Sequence, residues 1–548
     1  MTKWVVVSQV VCADMKRFNR SAAVLIIALA ASLGACSGPA SNGPGPSSAA
    51  SYVTDGTFTE TMVTDPGALD PQLSIVAGIF EMSFFAYDSI VGLDSKGNVV
   101  PQLAASWTTT DTAATFTLNS GITCSDGTAM TAQTVADNIN WMEDVNNASP
   151  YLGVFLPAGI TATADDNANT LTFALAAPSP FLLESLANVP IVCAAGLKDR
   201  TTLTSATNGS GPYQLSEAVP NDHYTYQRRD GYTWGPSGAT TAAAGLPKTI
   251  VVKVVPNEST AVNLLLSGEA NIVTTTGPDA ARAEAANLAS VDVPANLGET
   301  WYNHAAGRPT ADPAVRQALT QAVNLDDLAK AITGGTGSRA TSLAVIPPTT
   351  CNYDSVTGNV PSYDSAGAGA TLEQDGYAKG ADGMYAKNGS PLTVSFLYDS
   401  ALGTTGDAAA ELAVQQWQAA GIKVNMKSMA SAQMSDVLFG AGDWDVVWEP
   451  INVNSPDQMA GFFSGPAPAA GGANISSVDN ADFNNAVADA MTKTGSDACT
   501  AFQTAEKALF TANDFVAWAV RPNKIFLSHV QYEYVGRSQV TSLRMLAS

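Results

Sequence analysis

A strand–helix–strand unit constrains this chain more than any other local feature. Residues 249–255 (TIVVKVV) form a β-branched run, expected as a buried strand. Asn257 stands where it can cap the next helix, with Val262, Leu265 and Leu266 turned inward and Gly268 near the end. Residues 271–274 (NIVT) are the next strand. The alternation returns later: residues 392–397 (LTVSFL) read as a strand, 408–420 as a helix closed by Gly421, and Ile422, Val424 and Met426 alternate again. Recurrence of this kind implies an α/β architecture.

Other stretches fit around these units. Residues 57–63 suggest a first strand, and 79–87 an apolar, aromatic helix. Phe116 and Leu118 alternate with Thr115 and Thr117, as in a strand with one buried face. Val135, Ile139 and Met142 fall on one helical face. Residues 159–175 read as a hairpin turning at Asp165–Asn169. Asp312-Pro313 is a helix start, with one apolar pattern running on through Leu328 and Ile332. Residues 300–304 (TWYNH) and 515–519 are candidate strands, and 443–449 (DWDVVWE) enters a buried one.

The N-terminus reads as a targeting segment. Residues 15–20 are basic, 22–33 are apolar over signal-peptide length, and Leu33-Gly-Ala-Cys36 resembles a bacterial lipobox, whose cysteine is diacylated and begins the mature chain. Met15 is a candidate start. Residues 37–51 (SGPASNGPGPSSAAS) then form a flexible tether. The expectation is a body leashed to the outer face of a membrane, in an oxidising compartment. Four cysteines remain after Cys12 and Cys36: Cys124, Cys193, Cys351 and Cys499. Three connectivities are open to them. Pairing Cys124 with Cys193 and Cys351 with Cys499 keeps each bridge within one domain; buried free thiols are the alternative.

The 548 residues are enough for more than one domain. A formal charge of −23 repels phosphate backbones, so no nucleic-acid partner is expected. Catalytic chemistry is not expected either. His223, His304 and His529 lie far apart and form no paired-ligand motif, and no Cys/His spacing suggests a metal. There is no nucleophile elbow and no Walker loop. Residues 335–340 fit GxGxxA loosely but follow a helix, the wrong context for a dinucleotide. No cofactor is expected. Glu449 stands out: it follows Trp444, Asp445 and Trp448 and precedes Pro450. An acid beside aromatics at a strand end can hold a ligand cation, and equally can cap or pair.

An ordered set of marks resembles the family 5 extracellular solute-binding proteins, the peptide/nickel-type receptors of ABC transporters. They are GLDSKGNVVPQLAASW (92–107), TFTLNSGITCSDGTAMTAQTV (115–135), NGSGPY (208–213), SGEANI (267–272), DPAVRQALTQAVN (312–324), AGIKV (420–424) and DWDVV (443–447). Cys124, Asn271 and Asn324 depart from the family pattern. The resemblance implies a periplasmic-binding-protein-like type II (cluster C) fold, with two main lobes, an inserted third subdomain and hinge closure. It implies a signal over 1–35, lipidated Cys36 and tether over 36–54, lobe I over 55–95, 207–299 and 515–548, inserted lobe II over 96–206, and lobe III over 300–514. The hinge is expected near 300–304 and 515–521.

By the same resemblance the protein captures a small solute, foremost an oligopeptide, between lobes I and III, and delivers it to a membrane permease. A monomer is expected. Trp301, Tyr302, Asn303 and Trp448 are candidate wall residues, with core packing as the alternative for each. Glu449, Asn452 and Asn454 are candidate ligand contacts. The competing readings are a secreted hydrolase using paired carboxylates and a binding-only sensor or chaperone of the same fold.

Overall fold

The computed structural model describes residues 51–547 apart from 76, 276–278 and 471. The targeting segment and Cys36 lie outside them. Ten strands form one mixed sheet: β1 (Thr57–Met62), β2 (Tyr213–Val219), β3 (His223–Arg228), β4 (Thr249–Val254), β5 (Ile272–Thr275), β6 (Ala289–Tyr302), β7 (Thr393–Asp399), β8 (Lys423–Met429), β9 (Val446–Trp448) and β10 (Phe515–Leu527). Their order is β8-β7-β9-β6-β10-β5-β1-β4-β3-β2. Two parallel sets stand on either side of an antiparallel ribbon. One is β8-β7-β9 and the other β5-β1-β4; β6 and β10 join them.

The ribbon is longer than the sequence suggests. Residues 300–304 and 515–519 mark only one end of it; β6 runs 14 residues and β10 runs 13. Pro294 lies opposite Pro522, and the register slips between Asn296 and Glu299. Gly298 sits at that slip because the Trp518 ring occupies the space a side chain would need.

A smaller sheet of four antiparallel strands, Ala104–Thr110, Ala113–Leu118, Thr170–Ala174 and Thr161–Asp165, packs on the helix Ala132–Glu143. Phe116, Leu171, Phe173, Val135, Ile139 and Met142 share its core, and the alternation read from the sequence is the buried face. Buried Asp88 ties this region to the main sheet's first half. Its carboxylate accepts from Gln102, Ser210, Tyr232 and Trp234 at 2.7–2.9 Å.

Three sequence expectations need correction. Leu266 is 41% exposed, because the helix Glu258–Ser267 packs only one narrow face. β4 is half-buried rather than buried, its alternate residues covered on one side only. The long pattern after Asp312 is two helices, Pro313–Gln321 and Leu325–Ile332. Asn324 breaks it, its side chain accepting from the N–H groups of Asp326 and Asp327 as a fresh cap. Asn257 caps its helix as expected, accepting from the Thr260 N–H. The structure joins Cys124 to Cys193 and Cys351 to Cys499.

Residues from the small sheet's side meet the second half of the main sheet. The Phe181 and Phe502 rings lie 6.0 Å apart, and a side chain at Gly97 would collide with Pro348. The two parts are in contact, not splayed.

Candidate functional site

The strand register decides where a ligand can sit. Parallel β-strands bind ligands beyond their carboxyl ends. β5 ends with Thr275 opposite Lys524, pointing at the middle of β10. β9 has Val446 opposite Tyr302 and Val447 opposite Trp301, so it advances toward Thr300 and the middle of β6. The carboxyl ends of both parallel sets therefore converge on the ribbon between about Val293 and Thr300.

On the β7–β9 side three carboxylates gather there. Asp399 ends β7, Glu449 follows β9, and Glu299 projects from β6. Glu299 is fully buried. One carboxylate oxygen accepts the Ile451 N–H at 2.9 Å; the other has no partner. Burial, with the Glu449 charge added, pushes its pKa up to about 8. Burial and then the Asp399 charge push Glu449 up to about 7, and its buried Oε2 has no partner either. An acidic group in such a place is poised to release its proton when a cation arrives.

The wall candidates from sequence divide sharply. Trp301 is fully buried, stacked on Phe463 at 4.9 Å, with its indole N–H donating to the Glu449 carbonyl at 2.9 Å. Trp448 is 1% exposed and packs between Phe396 and Trp518, each 4.9 Å away. Tyr302 is buried, its hydroxyl bonded to Thr320 at 2.8 Å. Asn303 spends its amide on the Trp444 and Gly442 carbonyls and the Ala305 N–H. These four are core in this arrangement, and Tyr302 and Asn303 stand by the opposite, amino end of β9. Asn452 accepts the Asn296 N–H at 2.7 Å, so it braces the ribbon. The backbone of Asn454 holds Thr350 and Gln458. Glu449 alone of the seven carries an unpartnered charged atom beside the convergence.

On the β5–β1–β4 side a cavity of about 340 Å³ opens at the carboxyl ends, floored by Met62, Val293 and Ile525. Glu60, Glu81 and Glu258 line it, and sequence reading missed Glu60. The signal was present: Phe58, Glu60 and Met62 share one side of β1, so a charged residue occupies an apolar place in the alternation. A larger concavity, about 980 Å³, lies elsewhere, between the helices Ala481–Ala490 and Gly495–Thr511. Its most buried charges, Arg316 and Asp514, already pair with each other at 3.0 Å.

Comparison with known proteins bears on this geometry. The family of bacterial extracellular solute-binding proteins, family 5 (middle region), matches residues 98–472, more than half of the chain. The chain belongs to this family.

Among similar proteins is the dipeptide-binding protein of Escherichia coli, 28% identical over 347 residues, covering 58% of this chain and 62% of that protein. This match thus spans less than two thirds of the relative's length. A glutathione-binding protein of Pectobacterium atrosepticum is 25% identical over 80% of this chain and 87% of its own. A substrate-binding protein from Microbacterium hydrocarbonoxydans, solved with 4-hydroxybenzoate hydrazide, superposes with a TM-score of 0.71 at 27% identity, over 90% of this chain and all of that one. The family 5 chain thus has the type II periplasmic-binding fold expected from its sequence marks. Members of this family are extracellular binding proteins. Among the described residues no helix is long and apolar enough to cross a membrane, and no group of acids, histidines or cysteines is arranged to hold a metal ion.

Proposed function

We propose that this family 5 protein is the solute-capturing component of an ABC importer, and that its ligand is a small peptide or similar solute bearing a positively charged group. Capture takes place where the two parallel sets converge, with Glu449 as the counter-ion on the β7–β9 side. The observation that carries this reading is Glu449 itself: a raised, partly buried carboxylate with an unpartnered oxygen at the one place both strand sets point to. The dipeptide- and glutathione-binding relatives make an amine-bearing ligand the natural class.

β6 and β10 serve as the hinge, and lobes I and III close over the ligand. A ligand that touches both lobes only when closed shifts the equilibrium by the difference in its affinity for the two forms. The permease then recognises the closed form. The lipid on Cys36 keeps the receptor at the outer face of the membrane, and it works as a monomer.

Mass spectrometry of ligand released from the purified protein, then calorimetry with that compound, tests the reading. Glu449→Gln should weaken binding about tenfold, the loss of one charge-assisted hydrogen bond. Unchanged affinity would remove Glu449 from the site. Failure to bind any peptide or amine pool would sink the transport reading.

A further inference from the structure

Glu60 is the anomaly of the first half-sheet. It lies on the central parallel strand of the set, level with Val252 on one side and Ile272 on the other. Its neighbours on the same side, Phe58 and Met62, pack in or against the apolar core. Yet Glu60 is 8% exposed, and among the described residues only burial and the like charge of Glu81 act on its carboxyl group. Burial, then the charge of Glu81 alongside, pushes its pKa up to about 8.

Glu81 is different. It accepts the Ser538 N–H at 2.8 Å and has Arg537 for electrostatic relief. Nothing comparable answers Glu60. A carboxyl group in such a place is disfavoured in its charged form, so it persists where it serves a purpose other than stability.

Glu60 lines the cavity of about 340 Å³, within the size range of small-ligand sites. Met62, Met82 and Val293 give that cavity an apolar wall. The Tyr532 hydroxyl is buried there without a partner and feels the charges of both Glu81 and Glu60. An apolar sleeve ending in the carboxylates of Glu60, Glu81 and Glu258 and a phenol matches an alkyl chain ending in a cation.

We infer that this lobe I cavity is a specificity subsite for an alkylammonium or alkylguanidinium group, the side chain of a basic residue in the ligand, with Glu60 as its counter-ion. This rests on the proposed capture of an amine-bearing solute in its ligand, but not in its chemistry. Glu449 holds one positive charge and Glu60 a second, which selects basic peptides over neutral ones.

Two probes separate the subsite from the transport reading. The first is n-butylammonium alone, compared with sodium at equal ionic strength in thermal melts. It should raise the melting temperature of the wild-type protein and not that of Glu60→Gln, whose own melt reports that it folds. The second is calorimetry with Ala-Lys and Ala-norleucine. The wild type should bind Ala-Lys at least tenfold more tightly and release about one proton at pH 7, read from buffers of different ionisation enthalpy; E60Q should lose both the preference and the proton. Equal butylammonium shifts in the two proteins, no shift in either, or a preference for Ala-Lys that survives in E60Q would overturn the subsite. A butylammonium shift confined to the wild type, with neither peptide binding, would uphold the subsite and remove the peptide reading.

Discussion

The side chain of Asn452 clasps the backbone of Asn296. It accepts the Asn296 N–H at 2.7 Å and reaches back toward the Asn296 carbonyl at 3.4 Å. The clasp falls where the β6–β10 register slips, so it substitutes for ladder bonds that the bulge removes. Asn296 in turn donates to the Leu343 carbonyl at 2.9 Å. Asn452→Ala should therefore cost about 1 kcal/mol in urea denaturation. Native hydrogen exchange should rise around residues 295–298 and not at the far end of β10. Unaltered protection there would show that the clasp is incidental.

Glu299 gives a prediction with a definite sign. Its folded pKa of about 8 lies above the ordinary carboxylate value of 4.5. A group with a raised folded pKa favours the folded state at pH below its unfolded value, and that contribution is lost as pH rises toward the folded one. Unfolding free energy should thus fall between pH 4.5 and 8. Glu299→Gln keeps an acceptor for the Ile451 N–H and removes the charge. It should be more stable than the wild type at pH 8, on the order of 2–4 kcal/mol, and equal to it near pH 4.5. A wild-type curve that rises through this window would refute the assignment.

The contact between the two halves carries its own pH dependence. Glu184, beside Phe181 in the helix Leu182–Leu186, feels the negative charge of Asp457 from the opposing half of the molecule. Asp457 accepts from the Ser455 hydroxyl and is felt by Tyr353, which bonds Glu506 at 2.7 Å. Burial raises both Glu184 and Asp457 above the usual carboxylate range. Protonation therefore favours the contact, and the benefit disappears as pH climbs through those raised values. Small-angle scattering of the ligand-free protein should show a smaller radius of gyration at pH 5 than at pH 8. Glu184→Gln should flatten that difference; a dependence that persists in it would place the switch elsewhere.

The two disulfides close spans of 69 and 148 residues. In the chain-entropy model each contributes about 4–5 kcal/mol, and doubling the span adds less than about 1 kcal/mol. Replacing Cys124 and Cys193 by Ser, or Cys351 and Cys499 by Ser, should cost similar amounts in denaturant midpoints. A much larger loss from one pair would mean that native packing, such as the Phe181–Phe502 contact beside Cys351, dominates there.

Local pattern exposed the elements with a two-residue or 3.6-residue period and a cap. Asn257, Asp312 and the alternation at Phe116–Leu118 led straight to real elements. The ribbon was hidden because Pro294, Pro522 and the polar run Arg521–Lys524 carry no strand propensity; only pairing across 200 residues makes them strands. The site was half-visible for a related reason. The segment around Glu449 was legible as chemistry, but which way Trp301 or Trp448 faces depends on register, and a one-residue slip reverses it. Glu60 was missed because a single acid in a short strand looks like a solvated face until β4 and β5 flank it.

Arg521 offers the last test, since a zwitterionic ligand also needs a cation from the protein. It lies on β10 opposite Ala295, and strand alternation puts it on the same side as Asn523 and Ile525, which line the cavity of about 340 Å³. Its Nε is buried without a partner, burial lowers its pKa, and among the described residues the charge of Glu258 pulls it back. A guanidinium left so lightly engaged at the rim of an acidic cavity fits a ligand carboxylate. Ala-Lys with an amidated C-terminus should then bind the wild type about tenfold less tightly than free Ala-Lys. Arg521→Gln should bind the two forms equally. If the variant still prefers the free acid, the carboxylate is held by another group, and Arg521 belongs to the ribbon alone.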